Sequence, residues 1–428
     1  MTDTIFALAT ARGKAGIAVV RVSGPLALTS AEALGVSGLT ARQVAFRKLI
    51  VDGEILDSGV VLFFEEGASF TGEKIVEYQI HGGESVVAAL LRFLGGVSGL
   101  RLAEPGEFTR RALENGRLDL TQVEALADLI DAETEAQRRQ AQRVLSGAIG
   151  RRAAEWRKDL IRAAALIEAT IDFADEEIPE NVIPEVRDIV IRLSDAFRSE
   201  IDGSRSAERI RAGFEVAIIG APNVGKSSLL NALVGRDAAI TSSVAGTTRD
   251  VIEVRMDIAG LPVTLIDTAG LRETEDEVEQ IGVARAKERA SLADLRVLLL
   301  EPGGSPEAWD VEDGDIIAWS KADLFPVLNG VSGVSGHGLD WLLNEIKLRL
   351  QDRVSGSGVL IRDRQRSALT LASESMASAR GWLYNQDVSL ELVAADLRAA
   401  SHSLDLLVGK IGVERLLDEI FSSFCIGK

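Results

Sequence analysis

The sequence predicts a multidomain α/β protein of 428 residues: a mixed α/β domain first, then an all-α helical domain that carries a second α/β domain as an insertion. Three observations predict this. Short apolar runs alternate with helical stretches up to about residue 117. Apolar residues then recur at helical spacing in two separate arms. Between the arms lies Gly220-Ala221-Pro222-Asn223-Val224-Gly225-Lys226-Ser227, with two glycines, a lysine and a hydroxyl at the Walker A offsets.

Residues 1–117 form the first domain. Residues 4–9, 16–22, 60–64 and 75–80 are short apolar runs of strand character, and 26–34 and 85–94 suit helices. From Leu118 the texture changes. Leu118, Val123, Leu126, Leu129 and Ile130 are spaced as on a helix, and Val144, Ile149, Trp156, Leu160, Ile167 and Ile171 continue the stripe. A further stripe runs over 183–201, so 118–212 is the first helical arm, with an acidic turn at 172–179. Residues 213–352 are the insertion, whose strands are apolar enough to be buried on both faces. Leu369, Leu371, Leu383, Leu392, Leu397, Leu404, Leu407 and Leu416 mark the second arm, 353–428. Packing the arms on each other is the simplest way to bury both stripes.

An apolar fraction of 46% supports large cores. No apolar run approaches the ~20 residues that cross a bilayer. Met1-Thr2-Asp3-Thr4 lacks the charged start of a secretion signal. A cytoplasmic protein without a membrane partner is expected. The one cysteine, Cys425, excludes an internal disulfide and fits a reducing compartment. A net charge of −18 opposes nucleic-acid binding through the bulk surface. Arg138, Arg139, Arg143, Arg151, Arg152, Arg157 and Lys158 read as a solvated helix face, and His81, His337 and His402 are too scattered for a metal site.

The glycine loop follows a strand-like run, 214–219, and precedes a helical one, 228–233. Its amides converge on phosphate oxygens at a helix N-terminus. Lys226 would neutralise the β- and γ-phosphates and Ser227 would ligate Mg²⁺, with Asn223, Val224, Gly225 and Ser228 completing the cradle. Asp267-Thr268-Ala269-Gly270 ends a strand, placing Asp267 on the second side of Mg²⁺ and the Gly270 amide at the γ-phosphate. Thr248, in Gly246-Thr247-Thr248-Arg249-Asp250, occupies the place of a switch threonine that closes on Mg²⁺. Ser320-Lys321-Ala322-Asp323 stands where guanine is read, with Asp323 accepting from the base and Ser320 in place of the usual Asn. Ser332-Gly333 stands where a backbone usually meets guanine O6. Together these make a Ras-like P-loop GTPase domain that binds GTP. Leu271 occupies the position of the usual water-orienting Gln, so the task passes to one of Glu273, Glu275, Asp276, Glu277 and Glu279.

Asn223, the 246–250 motif, Asp267-Thr268-Ala269-Gly270-Leu271-Arg272-Glu273 and the tail Phe424-Cys425-Ile426-Gly427-Lys428 resemble the MnmE (TrmE) family of tRNA-modification GTPases. Ser69-Phe70-Thr71-Gly72-Glu73, His81-Gly82-Gly83, Pro105-Gly106-Glu107-Phe108 and Leu118-Asp119-Leu120 extend the resemblance over the whole chain.

The resemblance implies a homodimer joined through the N-terminal domain, which binds 5-formyl- or 5,10-methylene-tetrahydrofolate. It implies a flavoprotein partner, MnmG, carrying FAD, in a heterotetramer or larger complex. The pair would add an aminomethyl or carboxymethylaminomethyl group at C5 of the wobble uridine of certain tRNAs. It also implies K⁺-dependent pairing of the GTPase domains. By match to the family, Asn223, Ser242, Val244 and Thr247 coordinate K⁺, Ser243, Ala245 and Gly246 complete that loop, and Glu279 orients the attacking water. Arg21, Glu77, Arg117 and Lys428 match the folate-binding positions, and Cys425 matches a cysteine needed for modification. Two other readings share the GTPase motifs: a ribosome-assembly or translation GTPase, and a GTP-driven scaffold with no chemistry on this chain. Neither accounts for the tail.

Overall fold

The computed structural model describes residues 3–172, 182–234, 253–267, 292–354, 358–385 and 389–411, with 417, 420, 421 and 427 of the tail. The chain divides into two compact units, 1–127 with 408–428, and 128–407.

The first unit holds a six-stranded sheet ordered β3-β4-β5-β2-β1-β6. Its strands are β1 (Thr4–Leu8), β2 (Ala15–Ser23), β3 (Ala45–Val51), β4 (Glu54–Phe64), β5 (Ile75–Gly82) and β6 (Leu100–Leu102). All neighbours are antiparallel except β1 and β6. The period of two sorts the side chains. Val20 and Val22 of β2, and Val76, Tyr78 and Ile80 of β5, form a core with Ala27 and Ala31 of α1 (Ala27–Ala33) and Leu90 and Leu94 of α2 (Glu84–Gly96). The alternate positions, including Arg21 and Glu77, which are paired in the ladder, project from the other face. Helix α3 (Glu107–Glu114) and the start of α4 (Leu120–Ile130) complete the unit. Leu417, Ile420 and Phe421 of the tail pack there with Leu113, Leu118 and Val123.

A charge network lies inside this unit. Arg111 is 1% exposed. Its Nη1 donates to both carboxylate oxygens of Glu73 at 3.1 Å, and its Nη2 to Asp3 and Glu107, each at 3.0 Å. Arg101 braces Glu107 and Asp3 from outside.

Three elements here escape the sequence reading: β3, the three-residue β6 and α3. In β3 the charged pair Arg47-Lys48 interrupts the apolar run, and as an edge strand β3 keeps Phe46 exposed while Leu49 is buried. Helix α3 has only eight residues, too few for a periodic stripe to register.

The second unit contains α5 (Glu135–Leu145), α6 (Ala148–Asp172) and α7 (Val182–Ala212). Helix α5 starts with a capping box, in which Thr134 and Gln137 satisfy each other's amides. Helices α6 and α7 pack with Trp156 edge-on to Phe197, ring centres 5.0 Å apart. The predicted acidic turn lies outside the described residues apart from Asp172. The inserted sheet follows, ordered β11-β10-β7-β9-β8. Its elements are β7 (Phe214–Ile219), α8 (Lys226–Val234), β8 (Glu253–Ile258), β9 (Leu261–Asp267), β10 (Leu295–Leu300), β11 (Ile316–Trp319) and α9 (Leu339–Val354). All strand pairs are parallel except β8 with β9. The chain then returns to helix in α10 (Asp363–Leu383) and α11 (Leu390–Val408).

The arms pack on each other as expected. Arg366 of α10 pairs with Glu208 of α7 at 2.9 Å, and Arg187 of α7 donates to the Leu383 carbonyl at the end of α10. No described helix is long and apolar enough to cross a membrane.

Candidate functional site

Strand β7 is flanked by parallel neighbours on both sides, and the glycine loop leaves its C-terminal end. Ligands of doubly wound α/β sheets bind at this edge. Val224 anchors the loop in the core beneath. A Cβ on Gly220 would run into the Leu299 carbonyl, so only glycine lets the loop lie against β10. Asn223 takes φ of 62° and is exposed at the rim. A Cβ at Gly225 would meet nothing within 4 Å, which leaves the cradle open.

Lys226 is 4% exposed, and its Nζ donates to the Gly220 carbonyl at 2.7 Å and to the Ala221 carbonyl at 2.9 Å. Burial holds its pKa below the ordinary lysine value, against the opposing pull of Asp267. Ser227 Oγ donates to Asp267 Oδ2 at 2.6 Å, and Asp267 is 2% exposed. An alcohol from the first turn of α8 and a carboxylate from the end of β9 thus converge, a hard-oxygen pair of the kind that suits Mg²⁺. With a lysine one residue away, the set fits a Mg²⁺-bound polyphosphate.

The segment expected to read the base follows β11, two strands from β7 in the sheet. Ser320 is 3% exposed, and its amide donates to the Leu300 carbonyl at 2.7 Å. Its hydroxyl has no hydrogen-bond partner among the described residues. Lys321 takes φ of 57° and pairs through Nζ with Glu301 at 2.6 Å, while Asp323 is exposed to solvent. Gly333 lies so close to α8 that a Cβ would strike the Ser228 carbonyl, which brings Ser332-Gly333 up to the phosphate helix. The amide side chain of Asn is longer than a serine hydroxyl and brings both a donor and an acceptor. Ser320→Asn is therefore expected to tighten guanine-nucleotide binding by up to about tenfold, one hydrogen bond's worth. Equilibrium titration with GDP measures this, and unchanged affinity would contradict it.

Asn223, Val224, Gly225, Lys226, Ser227, Ser228, Asp267, Ser320, Lys321 and Asp323 thus come together at one edge of the inserted sheet. Ser242, Ser243, Val244, Ala245, Gly246, Thr247, Thr248, Thr268, Ala269, Gly270 and Glu279 lie outside the described residues, as do Cys425 and Lys428.

A second candidate site lies in the first unit. Arg21 Nε donates to Glu77 Oε1 at 2.8 Å, and the guanidinium stands 5.5 Å from the centre of the Phe70 ring and 5.6 Å from that of Phe108. Glu77 lines a cavity of about 410 Å³ with Arg42, Leu62, Phe64, Ser69 and Phe70. Aromatic walls around one carboxylate suit a flat heterocycle bearing N–H donors. Arg117 lies against Gly72, two residues beyond Phe70. The tail reaches the same unit: Arg110 sits over the Phe421 ring at 5.1 Å, and Gly427 lies against the Leu8 carbonyl. Arg42 and Phe64 were not foreseen as cavity residues, since only their fold places them beside Glu77. Both the amide and the Nδ1 of His81 engage the Asp57 carboxylate at 2.8 Å.

A tRNA modification GTPase MnmE from Cereibacter sphaeroides is 58% identical to this chain over 427 residues, covering 100% of both. The chain belongs to the MnmE family. The family models agree: "MnmE helical domain" matches residues 120–425 and "GTP-binding protein TrmE N-terminus" matches 4–117. A second family member, the tRNA modification GTPase MnmE of Dinoroseobacter shibae, is 54% identical over 429 residues, again covering 100% of both chains. Among solved structures, Aquifex aeolicus Era bound to GDP.AlF4- is 24% identical, with 38% of this chain and 66% of that chain covered at a TM-score of 0.25.

Proposed function

We propose that this chain is a GTP hydrolase acting in tRNA modification in the cytoplasm. With an MnmG-type flavoprotein carrying FAD, it adds an aminomethyl or carboxymethylaminomethyl group at C5 of the wobble uridine. The full-length match to MnmE relatives carries this reading. The convergence of Lys226, Ser227 and Asp267 supports the hydrolase part. The test is nucleoside analysis of tRNA from a strain lacking the protein: the wobble uridine should lose its C5 substituent, and an unchanged nucleoside would refute the proposal.

Ser227, Asp267 and Thr248 would hold Mg²⁺, which neutralises charge on the β- and γ-phosphates. Lys226 would exchange its two carbonyl partners for phosphate oxygens. Asp323 and Lys321 would read the base. Asn223, Ser242, Val244 and Thr247 would hold K⁺, and Glu279 would orient water. The exposed, left-handed Asn223 at the loop rim supports a cation held there. GTP hydrolysis is then expected to run several-fold faster in K⁺ than in Na⁺, in the way a well-placed charge stabilises a developing oxyanion. Asn223→Ala should remove the difference, and equal wild-type rates in both salts would contradict the K⁺ assignment.

Arg21, Glu77, Arg117 and Lys428 would serve the folate. The cavity at Glu77 supports this, with its aromatic walls and a carboxylate facing the N–H edge of a pterin. Cys425 would act in the modification site rather than in GTP hydrolysis. A homodimer is part of the same reading. The sheet face opposite α1 and α2 supports it, since Phe46 is 67% exposed and Ile17 63% exposed there.

A further inference from the structure

We propose that an arginine-lined cleft at the root of the inserted sheet binds RNA phosphate. The cleft has a volume of about 730 Å³. Helix α7 contributes Arg205, Ser206, Glu208 and Arg209, and the approach to β10 contributes Asp294. The last turn of α9 contributes Arg353 and the first turn of α10 contributes Arg366. Four guanidiniums therefore face two carboxylates, in a chain whose net charge is −18. A concave surplus of positive charge focuses field where the bulk surface repels anions.

The pairing pattern identifies the ligand class. Arg209 is held through Nε by Asp294 Oδ1 at 2.8 Å. The other Asp294 oxygen accepts the Glu215 amide at 2.9 Å, and Arg353 donates to the Asp294 carbonyl. Arg366 is held by Glu208 and Asp363. These bonds fix three guanidiniums in place. Arg205 has no hydrogen-bond or ion-pair partner among the described residues, and neither has the hydroxyl of Ser206. Preoriented guanidiniums beside a free guanidinium and a free hydroxyl make a donor set without its acceptor. Phosphate oxygens supply one, and arginine engages them through paired N–H bonds.

The cleft distinguishes backbone from base. The one aromatic residue of its described lining, Phe214, is 1% exposed, so the described lining offers no ring face for a base to stack on. Contacts here would position an RNA strand without reading its sequence. Arg205 is exposed and Arg209 is 44% exposed, which leaves room for a polymer to pass across the opening. The inference rests on the tRNA reading and extends it by locating a contact surface on this chain.

The test is a titration of full-length protein with an unmodified tRNA transcript at several salt concentrations. Arg205→Glu breaks no pairing among the described residues. It is expected to weaken binding about tenfold and to lower the slope of log affinity against log salt by about one. Arg205→Lys should retain most of the affinity. Arg138→Glu, an equal charge change on the exposed face of α5, should alter affinity by less than about twofold. GTP hydrolysis should be unchanged throughout, which also reports intact folding. Wild-type affinity in Arg205→Glu would overturn the cleft and leave the tRNA reading standing. Inorganic triphosphate displacing tRNA at equal phosphate concentration would make a free polyphosphate the occupant, and so overturn the RNA assignment. A wild-type protein without tRNA affinity, alone or with its flavoprotein partner, would overturn the cleft, while the nucleoside analysis decides the tRNA reading separately.

Discussion

Lys226→Ala is expected to lower the kcat/KM for GTP hydrolysis by at least about a hundredfold, the range seen when one preorganised charge or donor is removed. The reason is geometric. Lys226 is buried, and its ammonium already points into the loop, held by the Gly220 and Ala221 carbonyls. It has no need to move through solvent to reach a phosphate, so its electrostatic work is prepaid in the fold. Burial lowers its pKa, and the Asp267 carboxylate beside it opposes that shift. Steady-state GTP hydrolysis with circular dichroism as a folding control measures the effect. A Lys226→Ala protein that hydrolyses GTP at the wild-type rate would show that the loop does not bind the reacting phosphates.

Arg111→Ala is expected to destabilise the N-terminal unit by about 3–5 kcal/mol, because it removes the counter-charge of Glu73 and leaves Glu107 and Asp3 with Arg101 alone. Glu107 and Glu73, 7% and 16% exposed in their side chains, bear most of that loss. The same network sets a pH dependence. Burial alone would raise the Glu107 carboxyl, but bonds from Arg101, the Glu104 amide and Arg111 outweigh it and hold its pKa below the ordinary value. A carboxylate depressed in the folded state stabilises the fold above its unfolded pKa, about 4.3. That stabilisation is lost as pH falls through the lower folded value. Thermal unfolding in wild type should therefore weaken below about pH 4, and Arg111→Ala should flatten this part of the curve. Equal melting temperatures for the two proteins at neutral pH would contradict the structural role of Arg111.

The glycine loop was legible as an element because its pattern is local. Strand, glycines, lysine and hydroxyl all fall within 214–233, and in the structure Lys226 meets the Gly220 carbonyl and Ser227 meets Asp267. Asp267 was legible for a different reason: it ends a strand, and parallel sheets bring strand ends together. The Arg111 network was not legible. Its partners lie 4, 38 and 108 positions away, and no periodicity links them. The cleft at Arg205 is hidden in the same way, since its residues come from α7, the approach to β10, α9 and α10, far apart in the chain. The edge strand β3 failed because an edge needs only one buried side, so charges at Arg47 and Lys48 cost it little.

The most direct test of the account is the wobble nucleoside of a strain whose one copy of this protein carries Lys226→Ala. The account predicts tRNA lacking the C5 substituent, matching the deletion strain, with restoration by the wild-type chain. Fully modified wobble uridine in the Lys226→Ala strain would contradict it, because modification would then proceed without the phosphate-binding loop.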